Sequence, residues 1–204
     1  MTRYALLTAP VLLFCYGVVR LTDPTRSVSA VWTVSHVFYL AAFPALALSA
    51  VALHRLVGDR SVLGRGLVAL SVVGALSGVG QALVDLLAGW GAPDKAARAL
   101  AANHLRDVIP GSSFFYGFWP ALAQVGIVGL LVLAARAGRV PWWCAPLALA
   151  AFLLPTLTSL DLIPVAAVAV VPAVLPAFRA AGSTDEFGAR RRSILRRPAE
   201  GSRR

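Results

Sequence analysis

Two side chains capable of acid/base chemistry, His36 and Asp85, lie inside long apolar segments of the sequence. A charged carboxylate at the centre of a bilayer costs about 2.5 to 3.5 kcal/mol on insertion scales, so Asp85 is expected to face protein and to have a partner. Because an imidazole can exchange a proton with a carboxyl group, we predict that His36 and Asp85 form an acid/base pair or a proton relay. The alternative is that Asp85 binds an outer arginine, such as Arg20 or Arg106, and only holds helices together.

The segment that contains Asp85 has a regular pattern of small and polar residues. Gly74, Gly78, Gln81 and Asp85 follow one another at steps of four, three and four, which places them on one stripe of a helix. Small residues allow another helix to approach closely, and polar residues in a membrane face protein. We therefore predict that Gly74 and Gly78 form a packing interface, open to a partner protein or a second copy of the chain. Gln81 is predicted to orient a substrate.

Further polar side chains are expected at the depth of Asp85. Asp161 is the only charged residue in an apolar run from 141 to 178. One helix of that length would measure about 57 Å, nearly twice the hydrocarbon thickness, so the run must contain a turn. We predict a hairpin turn at Asp161 and keep open a catalytic role for its carboxylate. The remaining candidate substrate-binding residues are Tyr39, His104, Gln124 and Thr158.

The composition places these residues in a membrane protein. Hydrophobic residues make up 58% of the 204 residues and charged residues only 14%, against about 25% charged in typical soluble chains. Apolar windows separated by charges and turn residues predict an all-α, polytopic membrane helix bundle. Most of the windows approach or exceed the roughly 20 residues that cross a bilayer. The six predicted transmembrane helices lie at about residues 4–20, 30–53, 62–88, 114–135, 141–159 and 162–178.

The distribution of basic residues orients this bundle. Lysine and arginine number 19, against 9 aspartate and glutamate residues. With six spans and an inner N-terminus, fourteen basic residues fall on the cytoplasmic side and five on the other, as expected because positive loops resist translocation. We predict cytoplasmic N- and C-termini in a multi-pass protein of the cell membrane, with a bacterial inner membrane as the expected location. The first span is predicted to be a retained anchor, with a signal peptide as the alternative.

Two segments outside the spans have distinct predicted roles. The outer loop from 89 to 113 is expected to contain a short amphipathic helix that ends near Asp107. The chain then divides into a six-helix transmembrane domain, residues 1–181, and a basic flexible cytoplasmic tail, residues 182–204. Arginines in the tail attract anionic lipid by about 1 kcal/mol each, or serve only to fix the topology. Nucleic acid is not an expected partner, because no folded basic domain or aromatic surface accompanies these arginines.

Metal and cofactor sites are not predicted. No two of the three histidines share a helix at the spacing of metal ligands. A haem held by His36 and His104 is a weaker alternative, and we expect no cofactor. Cys15 and Cys144 are predicted at different depths of the bundle, too far apart for a disulfide.

Three classes of function fit the pattern, and no motif names a reaction. The absent catalytic motif, the small-residue stripe and the basic tail favour, as the leading prediction, an accessory or partner-assembling membrane subunit, with an enzyme as the alternative. The converging polar groups favour a small membrane enzyme that acts on a lipid-like or isoprenoid substrate by acid/base chemistry in an outer-leaflet polar cavity. There Asp85 would be the acid or base, His36 would tune it, and Asp161 or Gln81 would orient the substrate. A transporter of a small solute or proton comes third, because no internal repeat is visible. Membrane lipids surround the chain in every case.

Overall fold

The computed structural model describes residues 2–23, 30–58, 62–109, 111, 116 and 118–195, with backbone only for residues 2 and 183–195. In these residues it contains α-helices, short 3-10 turns and loops, and no strand. The predicted all-α class is therefore confirmed. The α-helices are α1 (Ala5–Leu21), α2 (Ala30–Val57), α3 (Val62–Gly89), α4 (Lys95–Val108), α5 (Leu122–Arg136), α6 (Cys144–Leu157) and α7 (Ile163–Leu195).

Four helical segments in the described part of the chain are long and apolar enough to cross a membrane. They are Ala30–Val57, Val62–Gly89, Trp119–Arg136 and Leu160–Gly182. The other two strongly apolar helices, α1 and α6, have 17 and 14 residues, below the roughly 20 residues of a full span. The structure thus has the character of a helical membrane protein, with four helices of spanning length.

The later helices begin and end at different residues from the predicted spans. The fourth span is predicted from residue 114, whereas the helix begins with a 3-10 turn at Trp119–Ala121 and continues as α5. Pro120 fits this first turn, where the missing N–H is not needed. At the other end of the chain, α7 passes the predicted limit of 178 and continues to Leu195, because no proline interrupts residues 177–195. Residues 182–195 of the predicted tail are therefore helical, and residues 196–204 lie outside the described part.

The core lies between α1, α2, α3, α5, α6 and α7 and is built mainly from small and aliphatic side chains. Leu53, Leu130 and Leu131 are fully buried there, together with many alanines. Small side chains let neighbouring helices approach closely, which is the usual basis of packing in membrane bundles. Leucines such as Leu76 and Leu87 instead face outward and are exposed, on a surface that acyl chains would cover.

The glycine stripe of α3 packs within the chain. A methyl group added at Gly74 would overlap the backbone of Leu122 and Ala123 in α5, and one added at Gly78 would overlap the ring of Phe43 in α2. Glycine at both positions lets the three helices pack at close range. The stripe thus packs against α5 and α2 within the chain, and its use by a partner protein or a second copy stays a prediction.

The short helix predicted in the outer loop is present as α4, and it lies on the surface of the bundle. The Asp94 side chain caps its first turn by accepting a hydrogen bond of 2.8 Å from the N–H of Ala97. Gly91 and Gly111 flank the helix with φ values of +72° and +74°, a backbone region that glycine adopts without strain. No residue of α4 is buried, so few packing contacts hold it.

Several helix ends meet at one end of the bundle, next to α4. Arg20, near the end of α1, lies 3.7 Å from Asp161, which precedes α7. Gly89, at the end of α3, packs against the ring of Trp32 near the start of α2. The guanidinium of Arg98 in α4 lies 4.9 Å from the centre of the same ring. This end therefore brings together side chains from α1, α2, α3 and α4.

Candidate functional site

A cavity of about 360 Å³ lies between α4 and the adjoining ends of α1, α2 and α3. His36 and Asp85 both line it, from α2 and α3. Its volume falls in the range of about 300 to 1,000 Å³ that small-molecule pockets occupy. The structure thus brings together the two residues that the sequence singles out for acid/base chemistry.

Neighbours on its own helix fix the orientation of the His36 ring. Nδ1 lies 2.8 Å from the backbone oxygen of Trp32, one turn earlier, and the two rings are stacked with centres 3.9 Å apart. A carbonyl oxygen can only accept a hydrogen bond, so Nδ1 carries a proton. In the neutral ring Nε2 then holds the lone pair that can accept another.

Asp85 has a tyrosine as its hydrogen-bond partner. The hydroxyl of Tyr116 donates to its carboxylate at 3.0 Å, and the guanidinium of Arg106 lies 4.0 Å from the centre of the Tyr116 ring. Tyr116 precedes the span that begins at Trp119, and burial, with the neighbouring Asp85 charge, raises the pKa of its hydroxyl to about 12. The hydroxyl is therefore protonated near neutral pH and can donate to Asp85. Arg106, the predicted alternative partner, is thus linked to Asp85 through a tyrosine.

His36 and Asp85 share the cavity but do not touch. No hydrogen bond or ion pair joins these two described residues. A proton passing between them would need a water molecule or a ligand group in the cavity. Their pairing for catalysis stays a prediction.

The walls of the cavity carry more positive than negative charge. Among the described residues, four basic side chains line it, Arg20, Lys95, Arg98 and Arg106, and two carboxylates, Asp23 and Asp85. Of the three basic groups of α4, only Arg106 was predicted near Asp85. Lys95 and Arg98 were not, because the prediction for that helix followed its apolar face. Positions 95, 98, 102 and 106 follow helical spacing, and this periodicity would have shown that the basic residues share one face.

Asp161 lies in the turn between α6 and α7, as predicted, and not in the lining of the cavity. Its backbone N–H donates to the hydroxyl of Ser159 at 3.2 Å, and its half-exposed carboxylate pairs with Arg20. Arg20 also donates to the hydroxyl of Tyr16 at 3.1 Å. Asp161 therefore helps to position a cavity arginine, and an exposed pair of this kind contributes roughly 0 to 1 kcal/mol of stability.

The predicted substrate-binding residues all lie outside the cavity lining. Tyr39 packs among aromatic rings, with Tyr16 and Phe43 at centre distances of 4.7 and 4.8 Å. Thr158 is exposed and donates its hydroxyl to the backbone of Leu154. The others are His104, exposed on α4, and Gln81 and Gln124, half-buried on α3 and α5.

The cavity combines a carboxyl group, an imidazole and an excess of basic side chains at the end of an apolar bundle. Among the described residues, no group of three histidine, cysteine or acidic side chains could hold a metal ion. The chemistry that the protein itself offers there is anion binding and proton transfer. Comparison of the chain with protein-family models, curated proteins and solved structures finds no match.

Proposed function

We propose that the chain is a six-span protein of the cell membrane whose cavity opens in the outer leaflet and binds a lipid-like substrate. Asp85 and His36 then transfer protons to and from that substrate. The observation that carries this proposal is that the two residues come from different helices and line one cavity. Bilayer physics adds support, because polar groups at a helix end are tolerated where they line a pocket inside the protein.

The six-span topology and cytoplasmic termini are part of the proposal. The 17 residues of α1 measure about 25 Å at 1.5 Å per residue, close to the roughly 30 Å of the hydrocarbon core. The shorter α6 is flanked by Trp142 and Trp143 on one side and the Asp161 turn on the other. Tryptophans are typical of membrane interfaces. Both helices are thus compatible with spans that also use their flanking turns.

A proton-transfer isomerisation illustrates the chemistry that the cavity suits. The acid form of one group would give a proton to the substrate, and the other group would take a proton from a neighbouring atom. The number of protons on the substrate is then unchanged, and the two groups exchange their protons through water afterwards. The hydrogen bond from Tyr116 holds the Asp85 carboxyl group in place, and the contact with the Trp32 carbonyl holds the His36 ring.

A matched pair of substitutions on α4 tests whether the cavity holds a ligand. Ala99 lines the cavity, whereas Ala96 is exposed on the same helix outside the lining. Ala99→Trp is expected to fill the cavity and Ala96→Trp to leave it open, at the same cost in helix propensity. Mass spectrometry of protein purified in gentle detergent should find a retained amphiphile in the wild type and in Ala96→Trp, but not in Ala99→Trp. Equal lipid content in all three would contradict the proposal.

An accessory membrane subunit is the second candidate, favoured by the outward surface of α4. Leu100 and Val108 lie two helical turns apart and are 72% and 59% exposed, with His104 between them. These side chains offer an apolar contact outside the occupied glycine stripe. The same purification distinguishes the two functions. A second protein that copurifies in stoichiometric amount with the wild type and with Asn103→Asp, but not with Leu100→Asp, would favour the accessory subunit over the enzyme.

A further inference from the structure

The charge of the cavity limits the class of ligand that it can take. In the part of the lining that the structure describes, four basic side chains exceed two carboxylates by two formal charges. Counting Asp161 against Arg20, with which it pairs from outside the lining, still leaves an excess of one. A concave site with walls of one sign concentrates counter-ions of the other sign. The cavity should therefore prefer an anion to a neutral or cationic headgroup.

Two of the arginines are held in place by aromatic rings. Arg98 lies over Trp32 at 4.9 Å, and Arg106 over Tyr116 at 4.0 Å. Contact with a ring uses the flat face of a guanidinium, while the N–H groups that bind phosphate oxygens in pairs point out from its edge. These contacts reduce the entropy that each long side chain would lose on binding a ligand. The arginines are therefore partly preorganised.

The spacing of the basic groups suits a ligand with several charged oxygens. Arg98 and Arg106 are eight residues apart on α4, or about 12 Å along the helix axis, with Lys95 less than one turn before Arg98. A phosphate monoester carries about 1.5 to 2 negative charges near neutral pH and offers three acceptor oxygens. A phosphodiester headgroup carries one negative charge. A monoester or a diphosphate therefore offers more charged oxygens to the four basic side chains of the lining than a diester does.

We infer that the cavity binds a terminal phosphate or diphosphate group carried by an apolar chain, through Lys95, Arg98 and Arg106 on α4 with Arg20 opposite them. This inference rests on the proposed function, in that the cavity is taken to hold an amphiphile. The inference adds to that proposal the position in the cavity at which the reacting part of the substrate binds. Arg106 contacts Tyr116, which donates to Asp85, so a phosphate bound at Arg106 would lie within one side chain of the acid/base group.

Lipid binding by the full-length protein tests the inference. The protein is equilibrated in detergent with phosphatidic acid, a monoester lipid, or with phosphatidylglycerol, a diester, and bound lipid is counted by native mass spectrometry. We expect the wild type to bind phosphatidic acid about tenfold or more in preference to phosphatidylglycerol. An Arg98→Gln/Arg106→Gln variant should lose this preference, because it loses charge-assisted hydrogen bonds to the phosphate. The matched control is Arg136→Gln/Arg139→Gln, which removes two exposed arginines, one at the end of α5 and one just after it. Equal binding of the two lipids, or an unchanged preference in the α4 variant, would overturn the inference.

Inorganic diphosphate separates the two sources of a phosphate group. If the amphiphile is the ligand, diphosphate should compete with phosphatidic acid only weakly, because it lacks the chain. Tight diphosphate binding without lipid selectivity would overturn the amphiphile assignment and favour a soluble anion.

Asp85→Asn should retain phosphatidic acid, because binding needs no proton transfer. Unchanged turnover in Asp85→Asn would thus refute only the acid/base proposal, whereas a ligand lost in Ala99→Trp but kept in Arg98→Gln/Arg106→Gln would refute only the phosphate inference.

Discussion

Replacing Asp85 with asparagine is expected to lower turnover of the cavity's amphiphile by about 10²- to 10⁴-fold, the usual contribution of a positioned acid or base. Asparagine has nearly the same shape and can still accept the hydrogen bond from Tyr116, but it cannot carry a transferable proton. The amphiphile identified in the purified protein serves as the substrate. Conversion in detergent is followed by mass spectrometry over time.

Two further variants are compared with Asp85→Asn. Asp107→Asn removes a carboxylate from the exposed side of α4, and turnover should be unchanged. Tyr116→Phe removes a positioning hydrogen bond and should reduce turnover less than Asp85→Asn does, and shift its pH profile. If Asp85→Asn turns over substrate as fast as the wild type while Ala99→Trp is inactive, the cavity binds ligand but Asp85 is not its acid or base.

The second large effect concerns the packing of α3. Gly74→Val should destabilise the bundle by about 1 to 3 kcal/mol or more, because the added side chain would overlap the backbone of α5 and force the helices apart. Gly66→Val on the same helix is the control: an added methyl there meets no atom within 4 Å, and the change in helix propensity is the same. Unfolding in mixed detergent, followed by circular dichroism, measures the difference.

A backbone contact at Gly74 cannot relax as a flexible side chain can, so the difference between the two variants should be large. Gly74→Ala, with a single methyl group, provides a milder version if Gly74→Val does not accumulate. Equal stability of the Gly74 and Gly66 variants would show that α3 and α5 do not approach as closely as described.

The helix positions were largely accessible from the sequence, because the bilayer imposes simple length and polarity limits. The third span is predicted at 62–88 and α3 occupies Val62–Gly89. The spacing of Gly74, Gly78 and Asp85 also indicated correctly that small and polar residues share one side of this helix. Periodicity could not show where that side changes from packing to cavity, so Gln81 was grouped with Asp85 although it lies outside the lining.

The part of the site that was not predicted depends on contacts between residues that are distant in the sequence. Tyr116 reaches Asp85 across 31 positions, and nothing near either residue indicates the pairing. The arginines of α4 face the cavity because that helix lies across the end of the bundle. Its rotation depends on contacts such as Arg98 with Trp32, which the sequence of the helix alone does not show.

The proposed function requires that His36 and Asp85 face one water-filled, positively charged cavity on the outer side. Thiol labelling in sealed right-side-out vesicles tests this most directly, using His36→Cys and Asp85→Cys in a Cys15→Ala/Cys144→Ala background. Membrane-impermeant anionic and cationic thiosulfonates are compared at each position. Both positions are expected to react from outside, and faster with the anionic reagent than with the cationic one. Labelling of one position only from the cytoplasmic side, or of neither except by lipid-soluble reagents, would contradict the proposed function.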